Sequence, residues 1–436
     1  MGELLARALP LAGLAVMVAI CLGLSTNRRE ALRRWDLIAW GFGLQVLFAL
    51  FILRTGFGQA VFAALNDAAV ALIGTAHEGA EFVFGALATG PGPGNVATVG
   101  YVDGTHPDNP GGYIMAFNAL LPIVFFSALV AVLYHLGILQ RVVLGVAWLM
   151  QRTMKTSGAE TLSAAANIFV GMIEAPLMVR PYLARLTRSE LMTLMTVGFA
   201  TVAGGMMAAY ISVVGDRVEG IAGHVLAASI MSAPAALLFG KLMIPETEKP
   251  ETGGRLEVDY KPETANVLDA AAAGTMEGVR IVLNVVGMLI AFLALLALLD
   301  LLLQGGSGLI LGHAPEWFTV RGLLGYLFAP LAFLMGVPDW GEAVQVGQLL
   351  GVKMATNELV AYLDFVGMEE LSERSRLIAV YALCGFANFG SVGIQIGGLS
   401  ALAPERRKDI SILGLRAMLA GTFAANATAC VAAILL

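Results

Sequence analysis

Polar residues that interrupt long apolar segments are the feature of this sequence that most limits its possible folds. Hydrophobic residues make up 58% of the 436 residues and charged residues 13%, whereas soluble domains carry about 25% charged residues. A soluble chain of this length could not bury so much apolar surface, so the excess must face lipid. A helix needs about 20 apolar residues to cross a bilayer. The sequence therefore predicts an all-α integral membrane protein with about eight transmembrane helices.

The expected transmembrane helices are the apolar segments of sufficient length. Three further segments, Phe57–Leu87, Val142–Met154 and Leu323–Val337, are too polar or too short and are expected to lie in the membrane interface. The Gly- and Pro-rich stretch Ala88–Gly112 is predicted to be an aqueous loop. The eight expected spans are Ala8–Leu24, Leu37–Leu53, Ile114–Leu139, Leu191–Val214, Ile221–Ile244, Val279–Leu303, Leu377–Leu399 and Ile410–Leu436.

Two other apolar segments contain intramembrane glutamates and are read as re-entrant helical hairpins. Glu174 interrupts the first, over residues 158–185, and Glu358 interrupts the second, over residues 341–365. A Gly-Phe-Ala triplet follows each glutamate at a similar distance, beginning at Gly198 and at Gly385. Matching order and spacing predict an inverted repeat, and paired interrupted segments in two halves of a chain indicate a transporter binding site.

This repeat divides the chain into four predicted parts. Residues 1–112 hold the N-terminal spans and an interfacial helix, which are expected to form part of a scaffold. Residues 113–244 and 267–436 hold the two repeat halves, each with its hairpin. Residues 245–266, rich in Glu, Lys, Pro and Thr, form a hydrophilic loop between the halves and are expected to face the cytoplasm.

Arginine positions give the expected orientation. The cluster Arg28–Arg34, the group around Arg185 and the run Arg406–Lys408 are placed in the cytoplasm by the positive-inside rule. Both termini then lie outside, and the two hairpins enter from opposite sides. These basic residues form no long run of the kind that binds nucleic acid, so the expected surroundings are a lipid bilayer, in the plasma (inner) membrane.

The two glutamates are the strongest candidates for chemistry. A carboxylate at the centre of a membrane helix costs about 2.5–3.5 kcal/mol on insertion scales. Glu174 and Glu358 therefore need water, a cation or a hydrogen-bonding ligand. One interpretation is that each accepts backbone N–H groups at the turn of its hairpin. The other, favoured by their matching places in the repeat, is that they bind a neutral polar substrate.

Neutral polar residues stand where the helices are expected to break. Unwound backbone frees carbonyl oxygens, and nearby amide and hydroxyl oxygens complete a shell that suits a hard cation such as Na⁺. Hydrogen bonding between helices is the alternative role for such residues. Phe386 stands two residues before one of them and could stack against a flat ligand. The polar residues are Asn167, Thr201, Asn388 and Ser391.

Two other function classes fit the sequence less well than a transporter does. His77-Glu78-Gly-Ala-Glu is not a zinc-protease His-Glu-x-x-His motif, and no Gly-x-Ser-x-Gly elbow is present. An intramembrane enzyme is therefore disfavoured, and a catalytic residue is not expected. A pore would not accumulate a solute against its gradient, which separates it from a transporter by experiment.

At these residues the chain resembles the concentrative nucleoside transporter family. The matching segments run in family order from about Ile114 to the C-terminus, roughly three quarters of the chain, and together they are highly specific. They are Ser163-Ala-Ala-Ala-Asn-Ile-Phe-Val-Gly, Glu174-Ala-Pro, Val202-Ala-Gly-Gly, Ile244-Pro-Glu-Thr-Glu, Ala355-Thr-Asn-Glu and Cys384-Gly-Phe-Ala-Asn.

The resemblance implies a homotrimeric, elevator-type transporter that couples nucleoside import to a sodium gradient, with sodium as the co-transported ion. By the matching positions, Glu358, Asn388 and Ser391 would hold the ribose. Residues at the tip of the first hairpin, including Glu174, would face the base, with Met206 and Phe386 nearby. The sodium site would comprise Asn167, Val170, Thr201 and Val202.

One departure from the family pattern concerns the base. Many members carry a polar pair, typically Gln followed by Thr or Ser, where this chain has Met172 and Ile173. The apolar pair removes two hydrogen-bonding groups, so the base preference is left open. A proton-coupled nucleoside transporter and a nucleobase transporter remain the alternatives, although Asn167 and the Thr201 hydroxyl favour Na⁺.

Overall fold

The computed structural model describes residues 2–89, 114–215, 217–253, 264–311, 315 and 317–435. These residues form α-helices and two short 3-10 helices, with no β-strand among them. Seven helices in the described part are long and apolar enough to cross a membrane. The prediction of an all-α, multi-pass membrane fold is therefore confirmed.

The N-terminal helices correct one prediction. The segment expected to be too polar to cross forms a continuous 29-residue helix, Gly56–Phe84, that is long and apolar enough to span a membrane. Its charged residues are spread over several turns, so an apolar stretch of sufficient length remains. Most of the loop predicted over Ala88–Gly112 lies outside the described residues, and its first two residues are helical. The helices here are α1 (Gly2–Leu24), α2 (Arg28–Arg33), α3 (Trp35–Arg54), α4 (Gly56–Phe84) and α5 (Ala86–Thr89).

The first repeat half contains the expected hairpin and the expected broken helix. The span predicted to reach Leu139 instead ends at His135, because Gly137 adopts a left-handed conformation (φ 75°) and the next helix starts at Ile138. The first hairpin also contains a 3-10 helix over Ala175–Val179. The α-helices of this half are α6 (Met115–Asn118), α7 (Pro122–His135), α8 (Ile138–Met154), α9 (Gly158–Asn167), α10 (Arg180–Leu183), α11 (Arg188–Ala200), α12 (Gly204–Val214) and α13 (Ile221–Met243).

The second repeat half begins with a helix much longer than predicted. This helix, Val267–Leu311, has 45 residues, or about 68 Å at 1.5 Å per residue, against the expected span Val279–Leu303. Of the hydrophilic loop predicted over residues 245–266, residues 254–263 lie outside the described part. A second 3-10 helix covers Pro404–Arg406. The α-helices are α14 (Val267–Leu311), α15 (Val320–Leu334), α16 (Trp340–Ala355), α17 (Glu358–Val366), α18 (Glu373–Leu383), α19 (Phe389–Leu402) and α20 (Arg407–Leu435).

Two groups of helices emerge from the packing. Helices α11, α13 and α20 pack against one another at the centre of the buried core, and α1 and α3 pack on α13 and α20. Helix α14 packs extensively along α7, which also contacts α12. The broken helices and hairpins therefore lie in one bundle that meets the α7–α14 pair through α12.

Capping boxes fix the base of the first hairpin. Ser157 and Glu160 cap the start of α9, and Thr187 and Glu190 cap the start of α11 in the same way, which satisfies the free N–H groups of both helix ends. Lys241 of α13 forms a 2.8 Å ion pair with the buried Glu160. The hairpin base is thus tied to α13.

Candidate functional site

Four interruptions of helical structure surround the candidate site. They lie at the turn of the first hairpin, between α11 and α12, at the turn of the second hairpin, and between α18 and α19. Gly204 N–H of the second interruption donates to the carbonyl of Phe169 in the first, at 3.0 Å. Gly385 of the fourth approaches the end of α11 so closely that a Cβ there would lie 2.8 Å from the Ala200 carbonyl oxygen. Both predicted breaks and both predicted hairpin turns are therefore present.

Glu358 is a buried carboxylate at these interruptions that accepts hydrogen bonds from two other parts of the chain. It is the first residue of α17, which Asn357 caps through its side chain, so its carboxylate benefits from the positive end of the helix dipole. The Tyr210 hydroxyl donates to Oε1 at 2.7 Å and the Asn388 amide donates to Oε2 at 3.1 Å. The Glu358 side chain is buried, at 3% exposure. Residues from α12, α17 and the α18–α19 break thus meet at one carboxylate.

Asn388 joins two functions in one side chain. Its Oδ1 accepts the backbone N–H of Ser391 at 2.8 Å and caps α19, while its Nδ2 donates to Glu358. Its own N–H donates to the Phe386 carbonyl at 2.8 Å. Phe386 and Ser391 are therefore held on the same turn as Asn388, whose amide reaches Glu358. Gly385 takes a φ of 121°, a conformation that favours glycine.

Tyr210 is the residue that the sequence interpretation missed. It is fully buried and lies one helical turn after Met206, a predicted site residue that is also buried. Its ring packs against that of Tyr362, with centroids 4.8 Å apart. Tyr210 follows Met206 by four residues and therefore lies on the same face of α12 as this predicted site residue. A tyrosine in an apolar helix, however, is usually interpreted as a packing residue.

Glu174 differs from Glu358 in its surroundings. Its carboxylate lies beside Gly171, within the turn of its own hairpin. A Cβ built on Gly171 would lie 2.2 Å from Oε2 of Glu174, so glycine leaves room for this arrangement. This position favours the alternative role for Glu174, in which its carboxylate stabilises the turn of the hairpin.

Met172 and Ile173 face helices of both repeat halves. Met172 is buried and packs against Gly198 of α11, beside the amide of Gln395 in α19. Ile173 packs against Gly398, one turn further along α19. The apolar pair therefore fills the contact between the hairpin tip and two helices.

The predicted sodium ligands lie on either side of the contact between the first two interruptions. Asn167 ends α9, and Thr201 and Val202 follow α11; all three are buried, while Val170 is partly buried. The Thr201 hydroxyl donates to the Val197 carbonyl at 3.0 Å, which leaves its oxygen free to accept. The buried Asn167 Nδ2 has no hydrogen-bond partner. Such a set of neutral oxygens suits a hard monovalent cation.

Comparison with protein-family models matches three descriptions along the chain. Residues 12–87 match the "Na+ dependent nucleoside transporter N-terminus", residues 116–217 match "Nucleoside recognition", and residues 224–433 match the "Na+ dependent nucleoside transporter C-terminus". The matches follow the order of the chain and include all four interruptions.

Characterised and uncharacterised relatives are similar over nearly the whole chain. A transporter from Haemophilus influenzae is 41% identical, covering 97% of this chain and 96% of the relative. The transporter YutK from Bacillus subtilis is 43% identical, with coverages of 97% and 98%. Sodium/nucleoside cotransporter 1 from Mus musculus is 39% identical over 97% of this chain, which spans 63% of that protein.

Solved structures give the same result for the fold. CNTnw in an inward-facing substrate-bound state matches with a TM-score of 0.86 and 38% identity, covering 100% of this chain and 98% of that one. A CNTnw variant in an outward-facing state matches with a TM-score of 0.86 and 37% identity, with coverages of 98% and 97%. The fold is therefore one that has been observed facing both sides of the membrane.

Proposed function

The chain belongs to the Na+-dependent, concentrative nucleoside transporter family, and from this premise we propose that it imports nucleosides by an elevator-type movement of its hairpin bundle. It is a multi-pass protein of the plasma membrane and not an enzyme. Its transport is coupled to sodium, which is the co-transported ion, and works by alternating access.

The hydrogen bonding of Glu358 is the observation that carries the substrate assignment. An ionised carboxylate accepts about four hydrogen bonds, and Tyr210 and Asn388 supply two of them. The remaining acceptor positions suit the hydroxyl groups of a ribose, because a buried carboxylate is stabilised by each donor it gains. Ser391 lies on the same turn as Asn388 and would contribute its hydroxyl.

The base is proposed to lie toward the first hairpin. Met172, Ile173 and Glu174 occupy its tip, and Met206 and Phe386 come from the two broken helices. Since the Glu174 carboxylate lies beside Gly171 in the turn of its own hairpin, we assign it to stabilising the tip as well as to facing the base. Apolar contacts from Met172 and Ile173 would then dominate on this side.

Sodium is proposed to bind where the first hairpin meets the α11–α12 break. Asn167 and Thr201 would offer side-chain oxygens, and Val170 and Val202 would offer carbonyl oxygens freed by the broken helices. The hydrogen bond between Gly204 and Phe169 supports this assignment, since it holds the two breaks together. Bound sodium would favour the conformation that presents the hairpin tip to the nucleoside.

The packing also supports a division into a fixed and a moving part. Helix α14 is longer than a bilayer is thick, and it packs along α7. We assign this pair to the fixed part and the hairpin bundle to the moving part, in a homotrimer. Because α1 and α3 pack on α13 and α20, we place them with the moving bundle, whereas the sequence suggested a scaffold role for residues 1–112. The boundaries at residues 112, 244 and 266 stay predictions.

Competition for uptake tests the substrate assignment. In proteoliposomes with an inward sodium gradient, unlabelled nucleosides should inhibit labelled nucleoside uptake far better than the corresponding free bases do, because the bases lack the hydroxyls that Glu358 accepts. Equal inhibition by free bases would favour a nucleobase transporter instead.

A further inference from the structure

A buried lysine stands beside the proposed ribose site. Lys353 lies in α16, the first half of the second hairpin, and its side chain is only 4% exposed. Lysine is a strongly hydrated cation with three N–H donors, so burial is costly unless an opposite charge and hydrogen-bond acceptors are close. The surroundings of Lys353 must therefore compensate for lost water.

The first group that replaces the lost water around Lys353 is a carbonyl at the end of a helix. The Lys353 ammonium group donates to the Ala382 carbonyl at 2.9 Å. Ala382 is in the last turn of α18, which ends at Leu383 before the break, so its carbonyl lacks the usual partner four residues later. The free carbonyls at a helix end also carry partial negative charge. Lys353 thus caps α18 at the interruption that leads to Asn388.

The second group that can stabilise the buried charge of Lys353 is the Glu358 carboxylate. Lys353 is in the last turn of α16 and Glu358 is the first residue of α17, so the two buried side chains flank the turn of the second hairpin, and no hydrogen bond between them is found among the described residues. The other groups around the carboxylate are neutral hydroxyl, amide and thiol groups, from α12, α17 and the α18–α19 break. They are Tyr210, Tyr362, Asn388 and Cys384.

We propose that Lys353 is a positioning residue that balances the charge of Glu358 and fastens the end of α18 to the second hairpin. The carboxylate then stays ionised inside the membrane, and Asn388 is held within hydrogen-bonding distance of it. The proposal rests on the proposed role of Glu358 in nucleoside binding, but the coupling of the two charges can be measured without a nucleoside.

A double-mutant cycle on the purified, full-length protein measures that coupling. Lys353→Gln and Glu358→Gln each leave one buried charge without its partner, whereas the double variant leaves neither. The melting temperature of the double variant should therefore exceed that of Lys353→Gln alone. If the decrease in melting temperature of the double variant equals the sum of the decreases in the two single variants, the proposed pairing is wrong. This result would not depend on which substrate is transported.

Nucleoside affinity as a function of pH separates charge balance from a merely structural role. Without Lys353, protonation of Glu358 competes with nucleoside binding, so the affinity of Lys353→Gln should fall as the pH is lowered, by up to about tenfold per pH unit. Wild type and Lys408→Gln, which changes an exposed lysine at the start of α20, should show a weaker dependence over the same range.

The outcomes of this second experiment are distinct. An equal loss of affinity at every pH in Lys353→Gln would overturn the charge-balance role and leave only helix capping. If wild type and Lys408→Gln bind no nucleoside at any pH, the proposed function fails, and the melting temperatures of the double-mutant cycle still decide whether Lys353 and Glu358 are coupled.

Discussion

The Tyr210 hydroxyl donates a 2.7 Å hydrogen bond to the carboxylate of Glu358, and this bond joins the two repeat halves at the proposed substrate site. Tyr210 belongs to α12 of the first half and Glu358 to the tip of the second hairpin. Nucleoside binding at this carboxylate would therefore be sensitive to how the two halves are aligned.

Removal of the Glu358 charge tests its role directly. Glu358→Gln keeps the size of the side chain but weakens each hydrogen bond that the carboxylate accepts. Hydrogen bonds to charged groups contribute about 1.5–3 kcal/mol, so nucleoside affinity should fall by roughly 10- to 150-fold. Isothermal titration and uptake in proteoliposomes would measure this, with size-exclusion chromatography to check folding. Normal accumulation in the variant would refute the ribose assignment.

Tyr210→Phe isolates the hydrogen bond between the two repeat halves. The ring and its contact with Tyr362 are kept, while the donor to Glu358 is lost. We expect nucleoside affinity to fall by roughly five- to thirtyfold, corresponding to about 1–2 kcal/mol.

Tyr362→Phe is the matched control for that variant. It also removes a buried hydroxyl, but one that donates to the Val380 carbonyl and not to the site. Its affinity should stay closer to wild type than that of Tyr210→Phe. Equal effects of the two substitutions would mean that the hydrogen bond from Tyr210 to Glu358 contributes nothing specific to nucleoside binding.

Gly171→Ala tests the turn that Glu174 forms. The added Cβ would lie 2.2 Å from Oε2 of Glu174, so the carboxylate must turn away from Gly171. Because Oε2 is the end of a flexible side chain, it can move at little cost, and we expect nucleoside affinity to fall more than the melting temperature. Gly145→Ala, in α8, meets nothing within 4 Å and serves as the control. A Gly171→Ala protein that behaves like this control would show that the Glu174 position is not constrained.

Restoring the polar pair at the first hairpin tip tests base recognition. In Met172→Gln combined with Ile173→Thr, two hydrogen-bonding groups replace apolar contacts with Gly198 and Gly398. The relative affinities of nucleosides with different bases should change, because base edges would gain or lose partners. Competition by ribose analogues should be unaffected. Unchanged base preference would place the base away from this pair.

The sequence predicted the interruptions better than the lengths of the helices. Glu358 and Asn388 could be identified because carboxylates and amides inside apolar segments are costly and need partners. The partner Tyr210 could not be identified, since its role depends on a contact between segments 148 residues apart along the chain. Helix α14 was predicted too short because only its most apolar stretch, Val279–Leu303, was expected to be helical, whereas the helix continues past this stretch at both ends, over Val267–Leu311.

The surroundings of Glu174 also could not be predicted from the sequence. Its position in the repeat predicted a functional role equal to that of Glu358, but local backbone geometry decides what a carboxylate at a turn contacts. Glu358 accepts hydrogen bonds from α12 and from the α18–α19 break, whereas the carboxylate of Glu174 lies beside Gly171 in its own turn. Sequence symmetry alone therefore does not imply equal chemistry at the two hairpins.

Sodium-driven accumulation is the most direct test of the central claim. Proteoliposomes holding the purified protein would be given labelled nucleoside with an inward sodium gradient, with choline replacing sodium in the control. We expect the nucleoside to accumulate above its external concentration only with sodium, and Asn167→Ala to weaken this dependence. Accumulation that persists in choline and follows an imposed pH gradient would contradict sodium coupling.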